Sequence, residues 1–340
     1  MISFPLQRYG AAGGRVPKSY TQLIELANAC GASQILLAAN ACDVFTAIGK
    51  ERLSVKDIAR RCHAHAEGLR LVLDALVSLG VLNHDRRGYR NTALGRRYLD
   101  RRSPEALTNL LWLFAHHWHD WSKLPTALRK GRLGWAPITA TPKFRRQFSW
   151  AMHERSQMLA EPTVQAMRLG SSATRFLDLA GGPGSYAIAL ARRYPQLKGV
   201  IVDQTTSVAR KVIGEQGLNG RLRVKAGDIF KDELGTGYDA VLCSNVIHVF
   251  NEVENRELLR RAAQALRTGG KLFIVEFFLK ASRTSPARSA VFSVMMYLYT
   301  GTGRCYSWSE VQGWLKTLGY GRFKRHRIRP GIGLLEATKL

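Results

Sequence analysis

The chain has 340 residues, room for two domains of ordinary size, and its 46% hydrophobic and 22% charged residues describe a globular protein rather than a disordered one. No apolar run is long enough to span a bilayer and the N-terminal MISFPLQRYGAAGG lacks a signal-peptide core, so the chain reads as cytoplasmic, its five cysteines reduced and, with no C-x-x-C pair, without a zinc site. The net charge of +26 invites a nucleic-acid partner, but 25 Lys+Arg against 12 Asp+Glu in residues 1–170 and 26 against 13 in residues 171–340 spread the excess evenly, which argues for a generally basic surface over a phosphate footprint.

From Tyr20 to about Leu99 the pattern is one of short helices followed by a small hairpin. Ser54 to Asp57 has capping-box spacing, and Leu69, Val72, Leu73 and Leu76 follow at i, i+3, i+4 and i+7. Gly80 stops that helix, Val81-Leu82 starts a strand, Asp85-Arg86-Arg87-Gly88 turns it, and Thr92 caps the next helix. This is a winged helix-turn-helix pattern, which serves DNA binding or dimerisation. The candidate recognition stretch, His63 to Arg70, has few of the side chains that read base edges, which favours dimerisation.

Residues 103–169 read as helical and rich in aromatics. His116, His117 and His119 lack the i, i+4 spacing of two ligands on one helical face, so an apolar pocket wall is a better reading than a metal site. Beyond Ser172 the period changes. Short β-rich runs at 175–179, 199–203, 222–225, 239–243 and 271–279, most separated by helical patterns, predict a doubly wound parallel sheet. Runs at 322–329 and 333–337, joined by Pro330-Gly331, predict a terminal antiparallel hairpin, and the alternating Arg325, Arg327 and Arg329 suit an exposed edge.

Between the first of these strands and the helix after it lies DLAGGPGSY, residues 178–186. It formally satisfies the G-x-G-x-x-G/A dinucleotide pattern, with Asp203 where that pattern wants an acid. A pyrophosphate needs only that second acid and a helix N-terminus. The sequence instead places Asp178, Asp203 and Asp228 at the ends of successive strands, a set that suits a cationic adenosine cofactor, S-adenosylmethionine (SAM), which calls for one acid near its amino or sulfonium charge, one for its ribose hydroxyls and one for its adenine amine.

The segments FLDLAGGPGSYAIAL, VDQ, AGDIF, YDAVLCSNVIHVFNEVENRELLRRAAQALRTGGKLFIVEFFL and LKTLGY resemble the SAM-dependent small-molecule O-methyltransferases that act on phenols, flavonoids and polyketides, including the bacterial polyketide and plant caffeate types. The resemblance implies a class I methyltransferase α/β sheet of Rossmann-like type behind a mainly α winged-helix domain. It divides the chain into a dimerisation domain (1–102), a helical linker contributing to the acceptor pocket (103–170) and a SAM-binding domain (171–340). Cofactor contacts are implied for Asp178, Ala180, Gly181, Gly182, Gly184, Asp203, Asp228, Ile229 and Ser244. The acceptor, a small aromatic molecule, is implied to meet Trp112, His116, Trp121, Phe148, Met152, Phe292, Met295 and Met296. The family carries its general base in an HDW motif after the fourth strand, where this sequence has His248 in HVF, and Glu276 matches the acid that orients it. Cys305 stands where many plant relatives carry a second acid. The expectation is a homodimeric O-methyltransferase that needs SAM and no metal; the alternatives are a family member that binds SAM for hydroxylation or decarboxylation, and a winged-helix DNA-binding ligand sensor.

Overall fold

The computed structural model describes residues 17, 19–133 and 141–340, so the N-terminal MISFPLQRYGAAGG lies outside the described residues. The chain divides into two units, Met1–His119 and Asp120–Leu340.

The first unit begins with α1 (Tyr20–Ala41), a single helix of 22 residues where the sequence suggested shorter ones. Ser19 caps it by accepting the Gln22 N–H, and Gly31 does not break it because nothing lies within 4 Å of where its side chain would start. Three helices follow, α2 (Val44–Ile48), α3 (Val55–Cys62) and α4 (Ala66–Ser78). Ser54 caps α3 through the Asp57 N–H, but its hydroxyl also donates to the Asp57 carboxylate, so the expected capping box becomes a one-sided cap. Leu69, Leu73 and Leu76 of α4 pack with Phe45, Ile48 and Ile58, while Val72 is only half-buried. Gly80, at φ 73°, closes α4 by donating to Val77, and Val81 donates to Leu76. The wing is the antiparallel pair β1 (Leu82–Asp85) and β2 (Gly88–Asn91). Asn91 fastens it to α2, its amide donating to the Phe45 and Gly49 carbonyls at 2.8 and 2.9 Å. Helix α5 (Ala93–Tyr98), capped by Thr92, and α6 (Thr108–Trp121) complete the order, the division between units falling within α6.

The second unit continues with α7 (Leu124–Lys130) and α8 (Pro142–Ala166), then β3 (Arg175–Leu179), α9 (Ser185–Arg193), β4 (Lys198–Asp203), α10 (Ser207–Glu215), β5 (Leu222–Ala226) and β6 (Tyr238–Ser244). The chain ends with α11 (Glu252–Ala265), β7 (Leu266–Glu276), α12 (Ala287–Tyr299), α13 (Trp308–Thr317), β8 (Tyr320–Arg329) and β9 (Ile332–Lys339). The sheet order is β5-β4-β3-β6-β7-β9-β8, with β9 antiparallel to both neighbours and every other pair parallel. This is the class I methyltransferase sheet with its terminal hairpin. The observed β7 starts five residues before the expected run at 271, because Leu266 pairs with Tyr238 across an irregularity at the Thr268-Gly269-Gly270 stretch.

The inner strands β3, β6 and β9 and the second half of β7 are buried on both faces, which is why they read as apolar runs, whereas the edge strand β8 alternates. Phe176, Ile201, Leu242 and Phe273 face one core with α8, α9 and α10; Leu177, Val202, Val241 and Ile274 face the other with α11 and α13. Period-two alternation puts Asp178 on the same face as Phe176, inside the protein rather than at its surface. The chain order reverses between β3 and β6, so the crevice beyond their carboxyl ends is where a doubly wound sheet places its ligand.

Candidate active site

At that crevice two non-glycine residues adopt left-handed backbone conformations, Ala180 after β3 (φ 52°) and Asn245 after β6 (φ 53°). Side chains tolerate this region poorly, and such strain gathers at functional turns. Between Ala180 and α9 the loop glycines do different work. A Cβ on Gly181 would lie 2.5 Å from Asp178 Oδ2 and 2.8 Å from Ile201 Cγ2, so Gly181 seats the loop on the sheet. Gly182, at φ 54°, has nothing within 4 Å of that position and leaves the loop surface bare. Gly184, at φ 74°, precedes the first turn of α9 and donates to the Gly181 carbonyl.

The strand-end acids are held in three distinct ways. Asp203 accepts the Gly182 N–H at 2.9 Å and the Thr205 N–H at 2.7 Å. A loop amide that a phosphate would need is thus already bonded to a carboxylate, which disfavours a pyrophosphate. Asp228 accepts the Phe230 N–H and donates its own N–H to Asp232, fixing the turn that carries the buried Ile229. Asp178 is fully buried, and neither carboxylate oxygen has a hydrogen-bond partner among the described residues. Burial, with Asp203 nearby, pushes its carboxyl well above the ordinary range. An orphaned buried acid beside a bare glycine loop fits a cofactor that brings positive charge. Ser244, the last residue of β6, is buried one position before Asn245, whose amide faces the Tyr186 hydroxyl at 3.5 Å.

His248 stands in a single 3-10 turn, Ile247–Val249, just beyond β6. Its Nδ1 lies 2.7 Å from Oε1 of Glu276, the last residue of β7, and its backbone N–H donates to Oε2 at 3.3 Å. The Phe277 N–H donates to Oε1 at 2.7 Å, so the wholly buried Glu276 is satisfied on both oxygens. With Glu276 ionised, Nδ1 carries the proton and the lone pair sits on Nε2, which makes no hydrogen bond among the described residues. The imidazole is edge-on to Phe292 (centroids 4.9 Å) and Phe277 (6.4 Å), an apolar frame that limits competing water. Gly303 holds the turn from behind, since any side chain there would strike the His248 carbonyl and Val249. Asn251 and Glu254 form the reciprocal capping box of α11, which gives Glu254 a structural role. Cys305 is buried near Glu276, whose charge adds to burial in raising the thiol.

The structure distributes the expected acceptor residues. Phe292, Met295 and Met296 lie on α12, with Phe292 against His248 and Met296 buried. Phe148 and Met152 are one turn apart on α8, Phe148 stacked on Phe144. Trp112 and His116 belong to the first unit, their rings stacked at 5.7 Å on α6, and Trp121 to the second. Among the described residues no group of His, Cys, Asp and Glu could hold a metal, and no helix is long and apolar enough to cross a membrane. The sequence reading missed Arg155 on α8, whose guanidinium lies over the Phe277 ring at 4.8 Å. A signal was there: Phe144, Phe148, Met152, Arg155 and Leu159 share one helical face, and a charge in that apolar stripe needs a reason.

Comparison with known proteins agrees with this geometry. Residues 125–321 match the O-methyltransferase domain family, and residues 24–101 match the O-methyltransferase dimerisation domain. The chain is 29% identical to the 3-hydroxy-5-methyl-1-naphthoate 3-O-methyltransferase of Streptomyces sahachiroi, over 97% of this chain and 99% of that one. It is 30% identical to the N,N-dimethyltransferase OxyT of Streptomyces rimosus over 73% of each. The crystal structure of human N-acetylserotonin methyltransferase in complex with SAM superposes with a TM-score of 0.86 at 26% identity, over 96% of this chain and 99% of that one.

Proposed function

This chain belongs to the SAM-dependent O-methyltransferase family, and we propose that it methylates a hydroxyl of a small aromatic, phenolic or polyketide-like acceptor with His248 as general base. The observation that carries the proposal is the buried His248–Glu276 pair, with its remaining ring nitrogen turned to no protein partner among the described residues. A phenol, with a pKa near ~10, is a poor nucleophile at neutral pH. His248 Nε2 takes the hydroxyl proton as the oxygen becomes nucleophilic, and Glu276 balances the imidazolium that forms. Phe277 and Phe292 keep water from the imidazole. Bound SAM supplies an electrophilic methyl on a sulfonium, which leaves without acid assistance. Asp178, Ala180, Gly181, Gly182, Gly184, Asp203, Asp228, Ile229 and Ser244 are the residues that hold it. Positioning and proton removal are then most of what the chain must contribute.

The acceptor class rests on relatives that are named for a naphthoate hydroxyl and for an amine. The test is therefore a panel of phenols, naphthols and aromatic amines with labelled SAM. Label transferred to hydroxyls, and lost in His248→Ala, supports the reading. Bound SAM with no transfer to any of them points to the non-methylating members instead.

The dimerisation domain supports a homodimer assembled through the first unit, where α1 exposes Tyr20, Leu23, Ile24 and Leu26. We read residues 1–102 as that module, 103–170 as the helical linker and 171–340 as the SAM-binding domain. Sedimentation of the protein without residues 1–102 tests this, a persistent dimer counting against it.

A further inference from the structure

Partly buried guanidiniums elsewhere in this protein have an answering group: Arg304 meets Glu310 at 3.0 Å, and Arg261 donates to the Ile229 carbonyl at 2.7 Å. Arg155 does not. Among the described residues its Nη2, shielded from solvent, has no hydrogen-bond partner, and its Nη1 finds only Met152 Sδ at 4.0 Å. The guanidinium lies 4.8 Å from the centroid of Phe277 and 5.7 Å from that of Phe292, the two rings that frame His248. The nearby carboxylate, Glu276, makes no hydrogen bond or ion pair with it; its oxygens accept from His248 and from the Phe277 N–H, and its charge reaches Arg155 only at longer range. A second guanidinium, Arg288, lies over the same Phe277 at 5.8 Å, more exposed and likewise without a hydrogen bond or ion pair among the described residues. Its stem rests on Gly331 at the hairpin turn. Burial lowers both guanidiniums from their ordinary values, and the charge of Arg288 lowers Arg155 further. Two like charges sharing one aromatic ring, with no protein anion hydrogen-bonded to either among the described residues, are a site awaiting one.

We propose that Arg155, with Arg288 on its solvent side, is a carboxylate-binding subsite next to the general base. Arg155 presents a planar fork that matches a carboxylate, and the Phe277 and Phe292 rings hold that fork in place. Two ligands of the reaction can bring the carboxylate: the methionyl end of the cofactor, or an acid substituent on the aromatic acceptor. The second source rests on the acceptor class proposed above; the first does not.

Calorimetry separates the sources without turnover. One arm compares S-adenosylhomocysteine with its decarboxylated analogue. The other compares 1-naphthoate with its methyl ester on protein saturated with S-adenosylhomocysteine. In Arg155→Met, one acid should bind about 10- to 100-fold more weakly, while its carboxylate-free twin stays within about twofold. Arg288→Met should weaken the same acid by less. The arm that responds names the source. Arg155→Lys keeps the charge, and therefore the fold if the uncharged variant fails to hold it; loss of the bidentate geometry alone should cost the same acid about 10-fold. Equal loss for acid and twin in both arms, or no loss in either, overturns the subsite. A protein that keeps this selectivity yet methylates no phenol would retain the subsite and lose the acceptor chemistry.

Discussion

His248 and Glu276, at the ends of β6 and β7, satisfy each other: one carboxylate takes two backbone N–H groups and an imidazole, and nothing more is needed to hold the ring. One strand away, at the end of β3, Asp178 is just as buried and has no hydrogen-bond partner among the described residues, and half-buried Arg155 on α8 leaves its Nη2 likewise unbonded, with the opposite charge. On the proposed reading, the catalytic side of the crevice is finished before any ligand arrives, whereas the binding side is completed by one. A base must be preorganised to gain its full effect in the transition state. Binding charges can be left open, because the ligand that closes them is then selected by what it carries, and ligands that carry less leave a buried charge unpaired.

The hardest test of this contrast is to remove the finished side. His248→Ala should lower turnover with a phenolic acceptor by about 10² to 10⁴ and leave SAM affinity nearly unchanged, measured by single-turnover kinetics and calorimetry. Raising the pH should partly restore it, since solvent then ionises the phenol. A fall in SAM affinity of the same size would mean that the two sides are not separable.

Asp203→Ala acts on the binding side. It removes the acceptor for the Gly182 and Thr205 amides and, on the proposed reading, the partner of the ribose hydroxyls. Affinity for SAM should fall by about 1.5 to 3 kcal/mol, on the order of 10- to 100-fold, with turnover at saturation much less affected. An unchanged dissociation constant would make Asp203 a turn residue only.

Glu276→Gln sharpens the comparison from within the catalytic pair. The amide keeps an acceptor for His248 Nδ1 but sets an N–H donor where the Glu276 carboxylate accepted from the backbone, and it removes the charge that balances an imidazolium. Turnover should drop by about 10-fold, less than in His248→Ala, with the loss in kcat rather than KM. A loss as large as that of the histidine would give the carboxylate a direct part in proton removal.

How far each side could be read from the sequence tracks the same division. Strand ends, the glycine loop, Asp203, Asp228, His248 and Glu276 are local features, set by apolar runs and by the turn residues that end them, and the structure puts them where the sequence placed them. Whether a charge is paired is not local. Nothing near Asp178 in sequence says that its oxygens are orphaned, since that depends on the strand pairing that buries it between β4 and β6. Arg155 is legible as an odd charge in an apolar stripe, but only the fold brings Phe277 and Phe292 from β7 and α12 to its guanidinium.

The smallest expected effect tests the open side most directly. Asp178 has an ordinary value of 3.8 that burial and Asp203 raise well above that range in the unliganded protein. It therefore holds a proton at pH values where an unfolded aspartate has lost one, and the stability this contributes is full below 3.8 and is lost as pH rises through the raised value. A cationic ligand beside it favours the carboxylate and brings its pKa down, so SAM binding should release protons anywhere between the bound and the free values. Affinity should rise with pH across that window, by at most about tenfold per unit for a single group, and level off above it. Calorimetry in two buffers of different ionisation enthalpy measures the release as a difference in apparent binding enthalpy. Asp178→Asn should abolish that difference and flatten the pH dependence of the unliganded melting temperature, leaving Asp203, which is raised by burial but held by the Gly182 and Thr205 amides, as the remaining acid of the loop. If the wild-type enthalpy did not depend on the buffer, Asp178 would not be answering a cation, and the positive end of the cofactor would have to be balanced elsewhere in the crevice.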